Sequence, residues 1–187
     1  MTAGRLLLLL LACLAPGAAG RLYCAMLNVS NGGTAGEWGR REFCPFGYAD
    51  GFSVKLETHQ GFLPGQDDTA LNGIRLHCAQ GGNVTSSVGR WGTWSHSQSC
   101  PKVPLVAFQL QTEPWRLGRD NTAANSLRMK CERRAVLEAR WEGWGAWGPW
   151  SPRCPRGYIC GLQTRVQPPR GAMDDTALND ARFFCCC

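Results

Sequence analysis

The chain has 187 residues, with 20 Lys and Arg against 14 Asp and Glu, 11 cysteines, 23 glycines and 8 tryptophans. That length holds one domain with a sizeable core or three small modules, and no stretch beyond the first twenty residues approaches the roughly 18 to 20 apolar residues a membrane span needs. The formal net charge of +6 is a modest positive field that suits acidic glycoproteins or sulfated glycans.

The first twenty residues read as a signal peptide. Arg5 precedes the apolar stretch Leu6 to Leu14, and Ala18-Ala19-Gly20 offers the small residues a signal peptidase recognises. A mature chain beginning near Arg21 would keep 167 residues and ten cysteines, Cys13 leaving with the signal. An even number of cysteines in an oxidising compartment predicts disulfides, a secreted product, and partners other than nucleic acid. No paired CxxC knuckles or His-x₃-His pairs accompany them, so neither a metal site nor a cofactor is expected. An apolar N-terminal stretch follows and carries Cys24; Asn28-Val29-Ser30 fits the N-glycosylation pattern, with Asn28 shielded by its strand.

From there the chain repeats. The dozen residues from Asp67 to Cys78 return from Asp120 to Cys131 and from Asp174 to Cys185, at intervals of 53 and 54 residues. Asp opens each copy, Thr is third, Ala fourth, Asn sixth, Arg ninth and Cys twelfth. Upstream lies a second shared block: Trp38-Gly39 before Cys44-Pro45, Trp91-Gly92 before Cys100-Pro101, and Trp147-Gly148 before Cys154-Pro155. A fixed period means one unit built three times, over about 38–78, 91–131 and 147–185. Units this short sit at the lower limit for folding alone, which favours one domain over 21–187 with a shared core.

Each Cys-Pro is followed by alternation, as in Phe52-Ser53-Val54-Lys55-Leu56-Glu57, Val106 to Gln111 and Leu162 to Gln167, and each repeat closes on alternation too, with Ile74, Leu76 and Cys78 on one side and Arg75 and His77 on the other. A period of two is a half-buried strand. No run has the 3.6-residue period of a helix, and Gly and Pro fall at turn-like spacing. The chain therefore reads as all-β, and three copies of about four strands predict three sheets around a pseudo-threefold axis.

The triple Asp-x-Thr-Ala-x-Asn … Arg … Cys cycle, the Trp-Gly before each Cys-Pro and the closing Asp174 to Cys186 resemble the vitelline membrane outer layer protein family, over Val29 to Cys186. The resemblance implies a β-prism of three four-stranded Greek-key sheets. It also implies a secreted, non-enzymatic component of an extracellular coat such as the egg's vitelline membrane outer layer, binding matrix glycoproteins or glycans. A lectin-like module is the alternative, and an enzyme acting on N-acetylglucosamine oligomers, suggested for the family, is a third reading.

Each repeat offers one early and one late cysteine, so the economical pairing is Cys44 with Cys78, Cys100 with Cys131 and Cys154 with Cys185. Cys160 then takes Cys186, although the adjacency of Cys185 and Cys186 leaves an exchange of partners open. In a closed prism the N-terminal stretch completes the last sheet, which brings Cys24 near Cys187.

The repeated Asp, Thr and Asn are residues that bond local backbone in turns, with Arg75, Arg128 and Arg182 balancing the carboxylates. Asp67, Asp120 and Asp174 are also weighed as glycan contacts. The adjacent pairs Asp67-Asp68 and Asp174-Asp175 invite glycosidase chemistry, but the second copy reads Asp120-Asn121 and strand neighbours face opposite ways. No catalytic residue is therefore assigned. Trp38, Trp91 and Trp147 are expected to form a buried threefold cluster; Trp115 and Trp141 stand outside the repeat and are the first choices for an aromatic sugar platform. The Trp-rich run from Trp141 to Ser151 also resembles thrombospondin type 1 repeats, which need a denser cysteine set, although its Trp-x-x-Trp spacing still suits C-mannosylation. His59, His77 and His96 read as surface residues, and Asn83-Val84-Thr85, in a Gly-rich stretch, is the more accessible glycosylation site.

Overall fold

The computed structural model describes residues 21–57, 70–113, 124–139, 145–168 and 177–187. Among them lie fourteen strands: β1 (Ala25–Leu27), β2 (Glu37–Trp38), β3 (Glu42–Phe43), β4 (Ala49–Leu56), β5 (Leu71–Cys78), β6 (Asn83–Thr85), β7 (Thr93–Trp94), β8 (Gln98–Ser99), β9 (Leu105–Thr112), β10 (Ala124–Cys131), β11 (Val136–Glu138), β12 (Ala146–Trp147), β13 (Tyr158–Val166) and β14 (Leu178–Cys186). No helix among the described residues is long and apolar enough to cross a membrane. Residues 1–20, with the expected signal peptide, lie outside the described residues.

The strands form three antiparallel sheets. In the first, the order is β6-β5-β4-β7, with β8 continuing along β4; in the second, β11-β10-β9-β12; in the third, β1-β14-β13-β2, with β3 continuing along β13. Counting each broken outer strand once, every sheet has four strands. The first two are Greek keys in chain order, because three strands meander and the fourth returns beside the first. In the third, the chain's opening strands close the key: Ala25 lies opposite Cys185 and Trp38 opposite Arg165.

Side-chain alternation builds the core. Ile74, Leu76, Leu127, Met129, Ala181 and Phe183 are fully buried, while Arg75 and Arg128, one position off, stay half exposed. One aromatic ring per sheet fills the middle: Phe52 opposite Leu76, Phe108 opposite Met129, and Phe183 opposite Leu162. In the third sheet the ring has moved to the partner strand, and the Phe108 and Phe183 centroids are 4.6 Å apart. Each long hairpin carries two register shifts, which curl the sheets around this core.

The sheets are out of phase with the sequence repeat. The block from Trp38 to Cys44 opens the first repeat but pairs along β13, in the sheet made by the last; the Cys44 N–H donates to the Cys160 carbonyl at 2.8 Å. Cys100 likewise bonds Asp50 on β4 (2.7 Å) and Cys154 bonds Val106 on β9 (2.9 Å). The disulfides Cys44–Cys78, Cys100–Cys131 and Cys154–Cys185 therefore each cross from one sheet to the next, closing a covalent ring around the prism.

The adjacent Cys185 and Cys186 do not compete, because neighbours on a strand face opposite ways. Cys185 points into the main core towards Cys154, while Cys186 joins Cys160 in a second small cluster with Phe184, Phe43 and Tyr48. Tyr23 packs on Phe184 at 4.8 Å from the N-terminal side, and Cys24 pairs with Cys187.

Candidate functional site

On the outside of each sheet an arginine lies flat on an indole. The Arg75 guanidinium is 3.9 Å from the Trp94 ring centre, Arg128 is 3.9 Å from Trp147, and Arg182 is 3.8 Å from Trp38. These are the ninth-position arginines of the repeat. They stack on tryptophans, and the aspartates they were expected to balance (Asp67, Asp120 and Asp174) lie outside the described residues.

The expected buried cluster of Trp38, Trp91 and Trp147 is corrected on two counts. First, the equivalent of Trp38 and Trp147 is Trp94, since all three follow a left-handed glycine by two residues: Gly36 (φ 80°), Gly92 (φ 81°) and Gly145 (φ 102°). The true repeat is Gly-x-Trp, and a side chain at these glycines would press on the backbone of Val166, Leu56 and Thr112 respectively. Second, Trp38, Trp94 and Trp147 are half-buried on outer faces, and Trp91 is 46% exposed. Each of the three repeat tryptophans pairs with an outward-facing residue, Trp38 with Arg165, Trp94 with Lys55 and Trp147 with Gln111, so the indole lies over the sheet rather than inside it. Beside two of the stacks, the outward-facing Gln109 and Gln163 are nearly buried and donate to the carbonyls of Gly148 (2.5 Å) and Gly39 (2.8 Å).

The Gly-x-Trp turns gather at one end of the prism, with the two described segments that cross from the third to the fourth strand of a key, 28–36 and 86–92. One such segment, Ser86 to Arg90, leaves the first sheet and rests on the third. Thr164 Oγ1 donates to the Ser87 carbonyl (2.6 Å), Ser86 Oγ to that of Arg40 (2.6 Å), and Lys55 Nζ to those of Gly89 (2.9 Å) and Arg90 (2.8 Å). Between this segment and the third sheet opens a cleft of about 440 Å³ lined by Glu37, Trp38, Val88, Arg90, Gln167 and Pro168. That volume is within the range of small-ligand sites, about 300 to 1,000 Å³. A carboxylate, a guanidinium, an amide and an indole face suit a polyhydroxylated ligand, which offers donors, acceptors and an apolar ring face together.

A second crossing segment joins the third sheet to the second, where Asn31 Nδ2 donates to the Leu110 carbonyl and to Thr112 Oγ1, each at 3.0 Å. Gly32 and Gly33 lie so close over β14 that a side chain on Gly32 would meet the Asp180 carboxyl. Burial pushes the Asp180 pKa up, against the opposing pull of the Ala181 N–H and the charges of Arg182 and Arg165.

Of the residues singled out in the sequence, Asp67, Asp120, Asp174, Trp115 and Trp141 all lie outside the described residues. Asn83 is exposed on the edge strand β6, its Oδ1 2.6 Å from His77 Nδ1, so Nδ2, the atom a glycan joins, takes no part in that contact. Asn28 lies just past β1 and is exposed rather than shielded. Among the described residues, no group of three His, Cys, Asp or Glu is placed to hold a metal ion. The cleft residues Glu37, Val88, Arg90 and Gln167 carry no motif; only Trp38 was visible in the repeat, because the cleft is made by segments that are distant in sequence.

Three curled Greek-key sheets around one core make this a β-prism of the jacalin-like kind. Solved structures with the same arrangement include Calystegia sepium agglutinin (TM-score 0.57, 12% identity, 88% of this chain and 97% of that one) and a mannose-specific jacalin-related lectin from Morus nigra (TM-score 0.56, 14% identity, 90% and 98%); at such identities the likeness is one of fold alone. Residues 25–187 match the sequence model described as vitelline membrane outer layer protein I, and the chain belongs to that family. It is 49% identical over 172 residues to the vitelline membrane outer layer protein 1 homolog of Mus musculus and 51% identical over 173 residues to that of Homo sapiens, each alignment covering 88% of this chain and 84% of the relative.

Proposed function

We propose that the protein is a secreted, non-enzymatic structural component of an extracellular coat, such as the outer layer of an egg's vitelline membrane, held there by binding matrix glycoproteins or their glycans. The observation that carries this reading is membership of the vitelline membrane outer layer protein I family across residues 25–187. Five disulfides agree with an oxidising, extracellular setting. The Trp38 cleft is the surface we assign to glycan contact.

A lectin-like carbohydrate-binding module is the second reading, favoured by the fold shared with a lectin solved in complex with mannose. A hydrolase or glycosyltransferase acting on N-acetylglucosamine oligomers has less support. Cleavage of a glycosidic bond uses two carboxyls, and Glu37 is the one carboxylate in the described lining of the cleft.

A glycan array followed by incubation with chitin oligomers separates the three. Retention of the protein on matrix glycoproteins without selective binding to isolated glycans supports the coat protein. Saturable binding of one glycan class, lost in Trp38→Ala, supports the lectin. Altered oligomer lengths support the enzyme and sink the non-enzymatic reading.

A further inference from the structure

The end of the prism opposite the cleft is built from the Cys-Pro turns and the short hairpin turns, and cations outnumber carboxylates there, Asp50 and Glu132 being the acidic residues of these turns. Lys102, Arg133, Arg134, Arg153 and Arg156 are all exposed there, with Arg21 half-buried beside them. Among the described residues, none of the five exposed cations is in an ion pair. The one acidic side chain in the hairpin turn, Glu132, is engaged otherwise: its Oε1 accepts the Tyr158 hydroxyl at 2.6 Å.

Contacts among the turns join these cations into one surface. The Glu132 N–H donates to the Pro104 carbonyl (2.9 Å), which sets the Lys102 turn beside the Arg133-Arg134 turn. Arg153 Nη2 donates to the Glu132 carbonyl (3.3 Å), Tyr158 meets Tyr48 edge to face at 5.0 Å, and Arg21 lies 5.9 Å over Tyr48. Cys24 Sγ lies 3.7 Å from the Arg156 carbonyl, next to the terminal disulfide. Two of the cations also hold backbone that glycine adopts more readily: Lys102 at φ 58°, and Arg134 at φ 70° where the matching hairpin turn of the first sheet has Gly81 at φ 96°. Cationic side chains stand in turns whose geometry favours no side chain at all.

We propose that this end binds a sulfated glycan chain, at a site separate from the Trp38 cleft. Five of the six cations are arginines, whose planar fork pairs with sulfate or carboxylate oxygens two at a time; an anionic lipid surface is served as well by point charges. The patch runs from the Lys102 turn, which joins the first sheet to the second, across the turns of the second and third sheets, which fits an extended polyanion rather than one small anion.

The test uses the full secreted chain with three probes: a size-defined sulfated glycosaminoglycan oligosaccharide, the same oligosaccharide desulfated, and vesicles of anionic phospholipid. The sulfated chain should bind with an affinity that falls steeply with salt. The variant Lys102→Gly, Arg133→Gln, Arg134→Gly, Arg156→Gln should bind about tenfold or more weakly with a flatter salt slope, as loss of counterion-releasing contacts requires, while Trp38→Ala leaves that binding unchanged. If the fourfold variant does not fold, Arg133→Gln with Arg156→Gln provides the same readout with a smaller loss. No binding, equal binding of the desulfated chain, binding to vesicles alone, or a variant as tight as the native chain would each overturn the proposal. Since Trp38→Ala reports on the cleft separately, failure here does not decide the coat reading.

Discussion

Arg182 on the last strand of the chain rests on Trp38 from one of the first, 3.8 Å from the ring centre, across the sheet that joins the two ends. The same stack on the other two sheets joins residues much nearer in sequence, Arg75 with Trp94 and Arg128 with Trp147. Replacing Arg128 with Ala should cost about 0.5 to 2 kcal/mol, the range for such a contact from exposed to desolvated sites. Arg182→Ala should cost a similar amount. Thermal melts of the single variants check this, and an unmoved melting temperature in all of them would show the stacks to be incidental.

The left-handed glycines should be intolerant. Gly92→Ala places a side chain at φ 81° and against the Leu56 backbone, and such strain costs about 1 to 3 kcal/mol. Gly81→Ala, at φ 96° but with open space around it, should cost less. Chemical denaturation of the two variants separates backbone strain from steric conflict.

Peptide mapping without reduction should recover Cys44 linked to Cys78, Cys100 to Cys131 and Cys154 to Cys185. Removing Cys100 and Cys131 together should cost about 2 to 5 kcal/mol. It would also release the tie between the first and second sheets, so hydrogen exchange should rise along β8 and the end of β10 more than elsewhere. A peptide joining Cys44 to Cys100 would break the three-sheet arrangement.

Asp180 gives a pH dependence of definite sign. Its folded-state pKa is raised above the ordinary 3.8, so the folded chain holds this proton more tightly than the unfolded one. The stability this supplies is complete below 3.8 and is lost as pH rises through the raised value. Asp180→Asn keeps the acceptor for the Ala181 N–H and never ionises, so it should melt higher than the native chain at pH 7, with the difference gone near pH 3. A lower melting temperature at pH 7 would mean that the charges of Arg165 and Arg182 outweigh burial.

Intact mass before and after glycosidase treatment should show glycan on Asn83, and on Asn28 as well, since both are exposed. Retention of the Leu6 to Leu14 segment in the secreted chain would refute the signal peptide.

The parts legible in the sequence were those set by local periodicity. Alternation at Val54 and Leu56 or at Leu127 and Met129 needs no knowledge of the partner strand, and the threefold cycle carries the number of sheets. The phase between repeat and sheet was hidden, because pairing of Trp38 with Arg165 joins distant residues and leaves no local mark. The tryptophan register was misread at Trp91 because the Trp-Gly dipeptide recurs there, while the feature that repeats in space is the sign of φ at Gly36, Gly92 and Gly145. The burial of tryptophan was misjudged because hydrophobicity alone does not tell which side of a two-residue strand the ring takes, nor that an arginine two strands away in the sheet will cover it. The cleft was out of reach for a related reason: Val88 and Arg90 become its wall only when Thr164 and Arg40 fix their segment to another sheet.

The Cys24–Cys187 bond spans 163 residues and ties the two ends of the described chain to each other. Topologically residues 24–187 are then a closed loop, and the sheet that contains both of these cysteines is tied as the other two are. A protease that severs one peptide bond anywhere between these cysteines frees no fragment, and a second cut is needed before any piece can leave. Damage of that kind stays local.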